Sequence, residues 1–264
     1  MGIGIVEFNL LRLVRAPLGD VITIGVQDIS SSVKKRARTS EPLLALGATT
    51  VKSIDMSPYE GANFLADLSL PHSVTTNVPR FDTICDFGSM EHVANPIEFL
   101  RNLGSLIKPG GTILHSNPAN GSLGHGFFQF SPEFFFSAYN GCFSSQSISC
   151  FLVDRKKPNT FWRVEEIMPG TRLNVRNTKG NIYVCTIVKG VHLPEKLSGM
   201  YQQDYLQRWD QSNEASFSGV KQKRSRSLFL TKIAGALLDW RNLQKSGLNK
   251  KIGAFQSASS QNIV

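Results

Sequence analysis

Cysteine is scarce in this 264-residue chain and scattered: Cys85, Cys142, Cys150 and Cys185 share no short paired spacing. That excludes a zinc ribbon, a Cys-x-x-Cys redox centre and a small disulfide framework, and leaves four buried, reduced thiols as the expectation. No apolar run nears the roughly 20 residues needed to cross a bilayer. The opening stretch MGIGIVEFNLLRLVRAPLG has neither an early basic region nor a small-residue cleavage site, so no signal peptide is expected. Val6 stands where a myristoylation signal needs Ser or Thr. A cytoplasmic location is the resulting expectation. Glycine is missing from one informative place. The segment VITIGVQDIS has Gly25 alone, which excludes the Gly-x-Gly-x-x-Gly fingerprint of a nicotinamide-dependent dehydrogenase.

The formal charge of +9 is unevenly placed. Positions 221–251 hold nine basic residues against Asp239 alone, and the rest of the chain has 20 basic and 19 acidic residues. A near-neutral body lacks the broad positive field of a nucleic-acid cleft, so nucleic acid is not an expected partner. The basic stretch reads first as a solvated appendage. Its apolar residues at 228, 230, 233, 237 and 238 have helical spacing, which suits packing on the domain or a second subunit, or peripheral contact with anionic lipid.

Short apolar segments alternate with helix-length ones along the first half. Asn9 to Val14 suits a short helix ending before Pro17, and Val21 to Val26 a strand. Asp28 and Ser30 to Ser32 offer helix caps for a weakly helical stretch reaching about Gly47. Val51 to Ile54 is a second strand closed by Asp55, and a loop carrying Asp67 follows. Phe81 to Asp86 is a strand, Pro96 to Ile107 an amphipathic helix, Pro109-Gly110-Gly111 a turn, and Thr112 to His115 a strand. Ser131-Pro132-Glu133 opens another helix. The late segments SQSISCFLV and NIYVCTIVKG read as two strands at an antiparallel edge. This order predicts an α/β domain with a mostly parallel twisted sheet and helices on both faces, whose ligand lies beyond the carboxyl ends of the strands. Asp55, Asp67 and Asp86 would then face one crevice.

These segments resemble the class I S-adenosylmethionine-dependent methyltransferases, with their Rossmann-like fold. The stretch FDTICDFGSMEHVANPIEFLRNLGSLIKPGGTILHSNPANG is similar to that family's strand, acidic residue, helix, Lys-Pro-Gly-Gly turn and strand. VKSIDMS resembles the strand whose terminal acid holds the ribose hydroxyls, and ADLSLP the segment whose Asp meets the adenine amine. The resemblance runs from about Val21 to Gly190. It implies S-adenosylmethionine as cofactor, with Gly25, Gln27, Asp55, Asp67, Leu68 and Phe87 around it, Phe87 as an apolar wall. It departs at the glycine-rich loop: Thr23 replaces the acidic residue, and Gln27 and Ile29 take two glycine places. Gln27 or Asp28 could bond the amino-acid end instead; Asp28 equally reads as a helix cap. Domain limits follow: a helical segment at 1–20, a methyltransferase-like domain at 21–190, a basic, partly helical extension at 191–252, and a tail at 253–264 expected to be disordered.

Methyl transfer needs a base only when the acceptor is a hydroxyl or a protonated amine. His92, His115 and His125 fall in the right region. His125, in a glycine-flanked loop, is the first candidate for a catalytic base or acceptor contact; bonding to loop backbone is its structural alternative. His92 could brace the next helix. No short paired spacing supports a metal site. Phe127, Phe128, Phe130, Phe134, Phe135, Phe136 and Tyr139 read as core, with one or two reaching the site. The expected function is methyl transfer to a small-molecule or sugar-containing acceptor. The alternative is a methyltransferase-like binding or assembly module without catalysis.

Overall fold

The structure, a computed structural model, describes residues 2–29, 40–166, 171, 180–192, 200–202, 205 and 251–252. Residues 30–39 of the helical stretch expected after Asp28, almost all of the basic extension, and the tail lie outside these residues; the rest of that stretch holds the helix Ser40–Ala45. In chain order the elements are β1 (Gly2–Ile3), α1 (Ile5–Leu13), β2 (Gly19–Ile24), β3 (Asp28–Ile29), α2 (Ser40–Ala45), β4 (Ala48–Asp55), β5 (Phe64–Leu65) and β6 (Phe81–Phe87). There follow α3 (Pro96–Leu106), β7 (Ile107–Asn120), α4 (Pro132–Ser137), β8 (Ser147–Asp154), β9 (Phe161–Val164), β10 (Ile182–Lys189) and β11 (Lys251–Ile252).

One mixed sheet carries the fold, in the order β11-β9-β8-β10-β7-β6-β2-β4-β5. The strands from β7 to β5 run parallel, and β10, β8, β9 and β11 add an antiparallel wing. That wing is wider than the two-stranded edge expected, because β9 forms inside the segment read as a connection and pairs with β8 and β11. Strand alternation sends side chains to two cores. Ile22, Ile54, Ile84 and Ile113 pack with Phe99 and Leu103 of α3 and Phe135 of α4 on one face. Val21, Cys85 and Leu114 pack with Leu10 and Leu11 of α1 and Leu43 of α2 on the other. Helices therefore cover both faces. Cys85, Cys150 and Cys185 are buried free thiols whose burial raises their pKa, as the scattered spacing implied.

Local chemistry explains the boundaries. α1 starts four residues earlier than expected because the Glu7 carboxylate accepts from Gly4 N at 2.9 Å, satisfying one of the orphan donors of a helix start. α3 is capped by Asn95, whose side chain accepts from Glu98 N at 3.2 Å, with Pro96 at the first helical position. Asp28 does not cap a helix: it lies in β3, paired in parallel with β1.

The Lys-Pro-Gly-Gly segment is a bulge at the start of β7 rather than a free turn. Between the pairs Phe81–Ile107 and Thr83–Thr112, β7 carries three more residues than β6. Gly110 takes a φ of 82° in this bulge, and a Cβ on Gly111 would stand 2.7 Å from Ile107 Cδ1. Lys108 bridges Asp20 and Asp82, each at 2.9 Å, clamping β2, β6 and β7 at the end of the sheet where β2 and β6 begin. Its hydrogen bonds hold both carboxyls below their ordinary values and its own ammonium above. The lysine is structural. Lys108→Ala is expected to lower the melting temperature slightly, and less so in high salt, with cofactor affinity unchanged in a titration.

Candidate active site

The chain leaves β2, builds β4 and β5 on one side, and then crosses back to β6 and β7 on the other. A crevice opens at that reversal, beyond the carboxyl ends of the strands. It is a cavity of about 380 Å³, within the roughly 300–1,000 Å³ usual for small-molecule sites. Gly25, Asp55, Asp67, Leu68, Ser89 and His92 are among its lining residues.

Strand register brings the first pair together. Ile24 lies beside Ile54, so Gly25 and Asp55 leave neighbouring strand ends side by side. Gly25 has a φ of 75°, and its N–H donates to Ile54 O at 2.8 Å. A Cβ there would make only ordinary contacts, 3.7 Å from Asp55 Oδ2, so it is the left-handed backbone rather than lack of space that favours glycine. The replaced acidic position has a bracing role, since Thr23 Oγ1 donates to Gly25 O at 2.9 Å. Asp67 accepts from Ser69 N and Oγ at 2.9 and 2.6 Å. Asn102 on α3 donates to the Leu68 and Leu70 carbonyls, fixing that wall.

Three expected residues stand elsewhere. Gln27 does not line the cavity; its Nε2 donates back to Ile24 O at 2.9 Å, while its buried Oε1 has no hydrogen-bond partner. Phe87 is no apolar wall, because it alternates onto the α1 face and is buried in that core. Asp86 does not face the crevice either. It lies fully buried beneath it, bonded to His115 Nδ1 at 2.7 Å and to the backbone N–H groups of Ser89 and Met90. His115 spends its other nitrogen on Tyr139 OH at 2.6 Å, which makes it a core histidine. Burial and the nearby Asp86 push the Tyr139 phenol well above its ordinary pKa, so it stays a neutral hydroxyl.

A cluster missed by spacing sits at the rim. Glu91 and His92 belong to a 3₁₀ turn after β6, and His125 to the loop after β7. Phe127 N and Phe128 N both donate to Glu91 O, at 2.7 and 3.3 Å, and pin that loop to the turn. His125 then stands with Nε2 3.6 Å from Glu91 Oε1 and its ring edge-on to His92, centroids 4.7 Å apart. Phe127 is exposed and lines the cavity, whereas Phe130, Phe135, Phe136 and Tyr139 are core. Gly126 is the hinge of this arrangement. With a φ of 70° and Glu91 O 2.8 Å from any added Cβ, it admits no side chain without moving the loop. Gly126→Ala is expected to cut turnover while sparing cofactor affinity in a titration, because His125 is displaced and Asp55 is not.

Burial, aided by repulsion from Asp86, raises the Glu91 carboxyl to about 7 from an ordinary 4.5; the bond from Asn117 opposes this. Partial burial and the charge of His125 lower the His92 pKa. A carboxyl raised on folding contributes stability that is complete below its unfolded value and is lost as pH rises through the folded one. Glu91→Gln removes that titration. The variant should gain stability over the parent between pH 5 and 8, by up to about 3 kcal/mol in denaturant melts. A pH-independent difference would contradict this.

Among the described residues no helix is long and apolar enough to cross a membrane. No curated protein matches the chain. N-methyltransferase NodS from Bradyrhizobium japonicum, solved with S-adenosylhomocysteine, is similar at 12% identity and a TM-score of 0.42, over 70% of this chain and 85% of its own. The 1,6-didemethyltoxoflavin-N1-methyltransferase of Burkholderia thailandensis is similar at 15% identity and a TM-score of 0.43, over 70% of this chain and 76% of its own. The family described as "Methyltransferase domain" matches residues 14–171. That match spans more than half of the chain, and the protein belongs to the methyltransferase-domain family, as a class I S-adenosylmethionine-dependent enzyme.

Proposed function

We propose that the enzyme transfers a methyl group to a small-molecule or sugar-containing acceptor entering at the His125 rim. The observation that carries this reading is the convergence of Gly25, Asp55, Asp67 and Leu68 on one crevice, with an imidazole and exposed Phe127 at its mouth. Asp55 would accept from the two ribose hydroxyls, and Asp67 from the adenine amine beside the apolar Leu68. These residues fit an adenosyl ligand despite the lost glycines. S-adenosylmethionine supplies a methyl on a sulfonium, and its in-line transfer depends on alignment in a dry site. His125 holds the acceptor at the rim and takes its proton if it is a hydroxyl or ammonium.

The near-neutral charge outside the basic stretch favours a small acceptor over nucleic acid. Incubation with methyl-tritiated cofactor and separate pools of metabolite extract, RNA and protein tests the choice. Label is expected in the small-molecule fraction. Label confined to RNA or protein would overturn it.

A further inference from the structure

The cluster at the rim has donor chemistry that a base alone does not use. We propose that Glu91, His92 and His125 form a binding site for one divalent transition-metal ion, of which zinc suits the ligands best. Each residue offers one ligand atom, and the three atoms lie within 4.8 Å of one another. Two ligands at about 2.1 Å from a shared ion are at most about 4.2 Å apart, so a small side-chain adjustment closes the site.

A second observation points the same way. Glu91 is fully buried, yet its Oε1 has no hydrogen-bond partner, and this atom is the one aimed at His125. A buried oxygen without a donor is costly, and a cation between it and two imidazoles would satisfy it. The support behind the ligands also resembles that of metal centres. Asn117 Nδ2 donates to the other Glu91 oxygen at 3.0 Å and to Asp86 at 3.2 Å, which fixes the carboxylate. Phe127 N and Phe128 N fix the loop that carries His125.

Two imidazoles and one carboxylate select borderline ions over magnesium or calcium, which prefer all-oxygen shells. Three protein ligands leave a coordination position open, as in catalytic rather than structural zinc sites. His92 lines the crevice, so the ion would adjoin the cavity. A bound ion would polarise an acceptor oxygen there; His125 would then act as a ligand, and as the base only in the ion-free protein. That role rests on the transfer reading above; the cation site itself does not.

The test uses the full chain, stripped with chelator and free of cofactor and acceptor. Titration with Zn²⁺ by calorimetry, and with Co²⁺ by visible absorption, is expected to show one equivalent bound. His125→Ala and His92→Ala should each weaken binding by about tenfold or more, since even supporting residues around metals cost 10- to 100-fold. Both side chains are exposed, so these variants should fold, and matching circular dichroism checks it. His72→Ala, outside the cluster, should bind like the parent. Absence of stoichiometric binding, or binding that survives both rim substitutions, overturns the proposal. S-adenosylhomocysteine affinity of the stripped protein is measured in parallel; its loss would count against the cofactor assignment and leave the cation site standing.

Discussion

His125→Ala is expected to reduce turnover by about 10²- to 10⁴-fold, the range associated with a positioned acid–base group, and to leave cofactor affinity intact. The separation of effects comes from geometry. His125 stands on Glu91 and His92 at the mouth, in a loop held by the Glu91 carbonyl, whereas Asp55 and Gly25 sit on strand ends across the crevice. Truncating an exposed imidazole removes no core contact, so the fold should melt unchanged. Turnover and affinity measured on one preparation decide the matter. Equal losses in both would mean that the 121–129 loop has a structural role and that the imidazole has no special part in transfer.

Asp55→Ala is expected to weaken S-adenosylmethionine binding by about 1–3 kcal/mol, or roughly 5- to 150-fold, the cost of losing a charged hydrogen-bond acceptor. Asp55 lines the cavity, and among the described residues its side chain accepts from Ser57 N at 3.1 Å, a local bond on which little of the fold depends. Unchanged affinity would remove Asp55 from the cofactor site. Asp86→Ala provides the contrast. That residue holds His115, Asn117 and two backbone N–H groups in a fully buried network, so its loss should destabilise the fold broadly.

Asp55 and Asp86 looked alike in the sequence: each is an acid at the end of a short apolar strand. Their difference lies in register. Asp86 pairs with His115 across β6 and β7, and that pairing depends on the bulge between Ile107 and Thr112, which a turn reading of Pro109-Gly110-Gly111 does not supply. The Phe87 assignment was avoidable, since Cys85 and Phe87 share one face of β6 while Ile84 and Asp86 share the other. The alternation of strands and helices was readable because β2 and β4 are short runs rich in β-branched residues and α3 and α4 open on the capping side chains of Asn95 and Ser131. The antiparallel wing was half readable: β8 and β10 have continuous apolar runs, while β9 is only four residues long. The Glu91, His92 and His125 cluster left no signal in spacing. His125 is brought back over 33 positions by hydrogen bonds from the backbone of Phe127 and Phe128, which carry no residue signature.

The degenerate loop is the point on which the functional account turns. One left-handed glycine, a threonine brace and an orphaned glutamine oxygen stand where the resemblance implies several glycines. Calorimetric titration of the purified protein with S-adenosylmethionine and S-adenosylhomocysteine, with NAD as control, tests that point most directly. The account predicts micromolar binding of both adenosyl ligands at one site per chain and none of NAD. Absence of binding by either adenosyl ligand, with the protein folded and the acceptor rim intact, would contradict it.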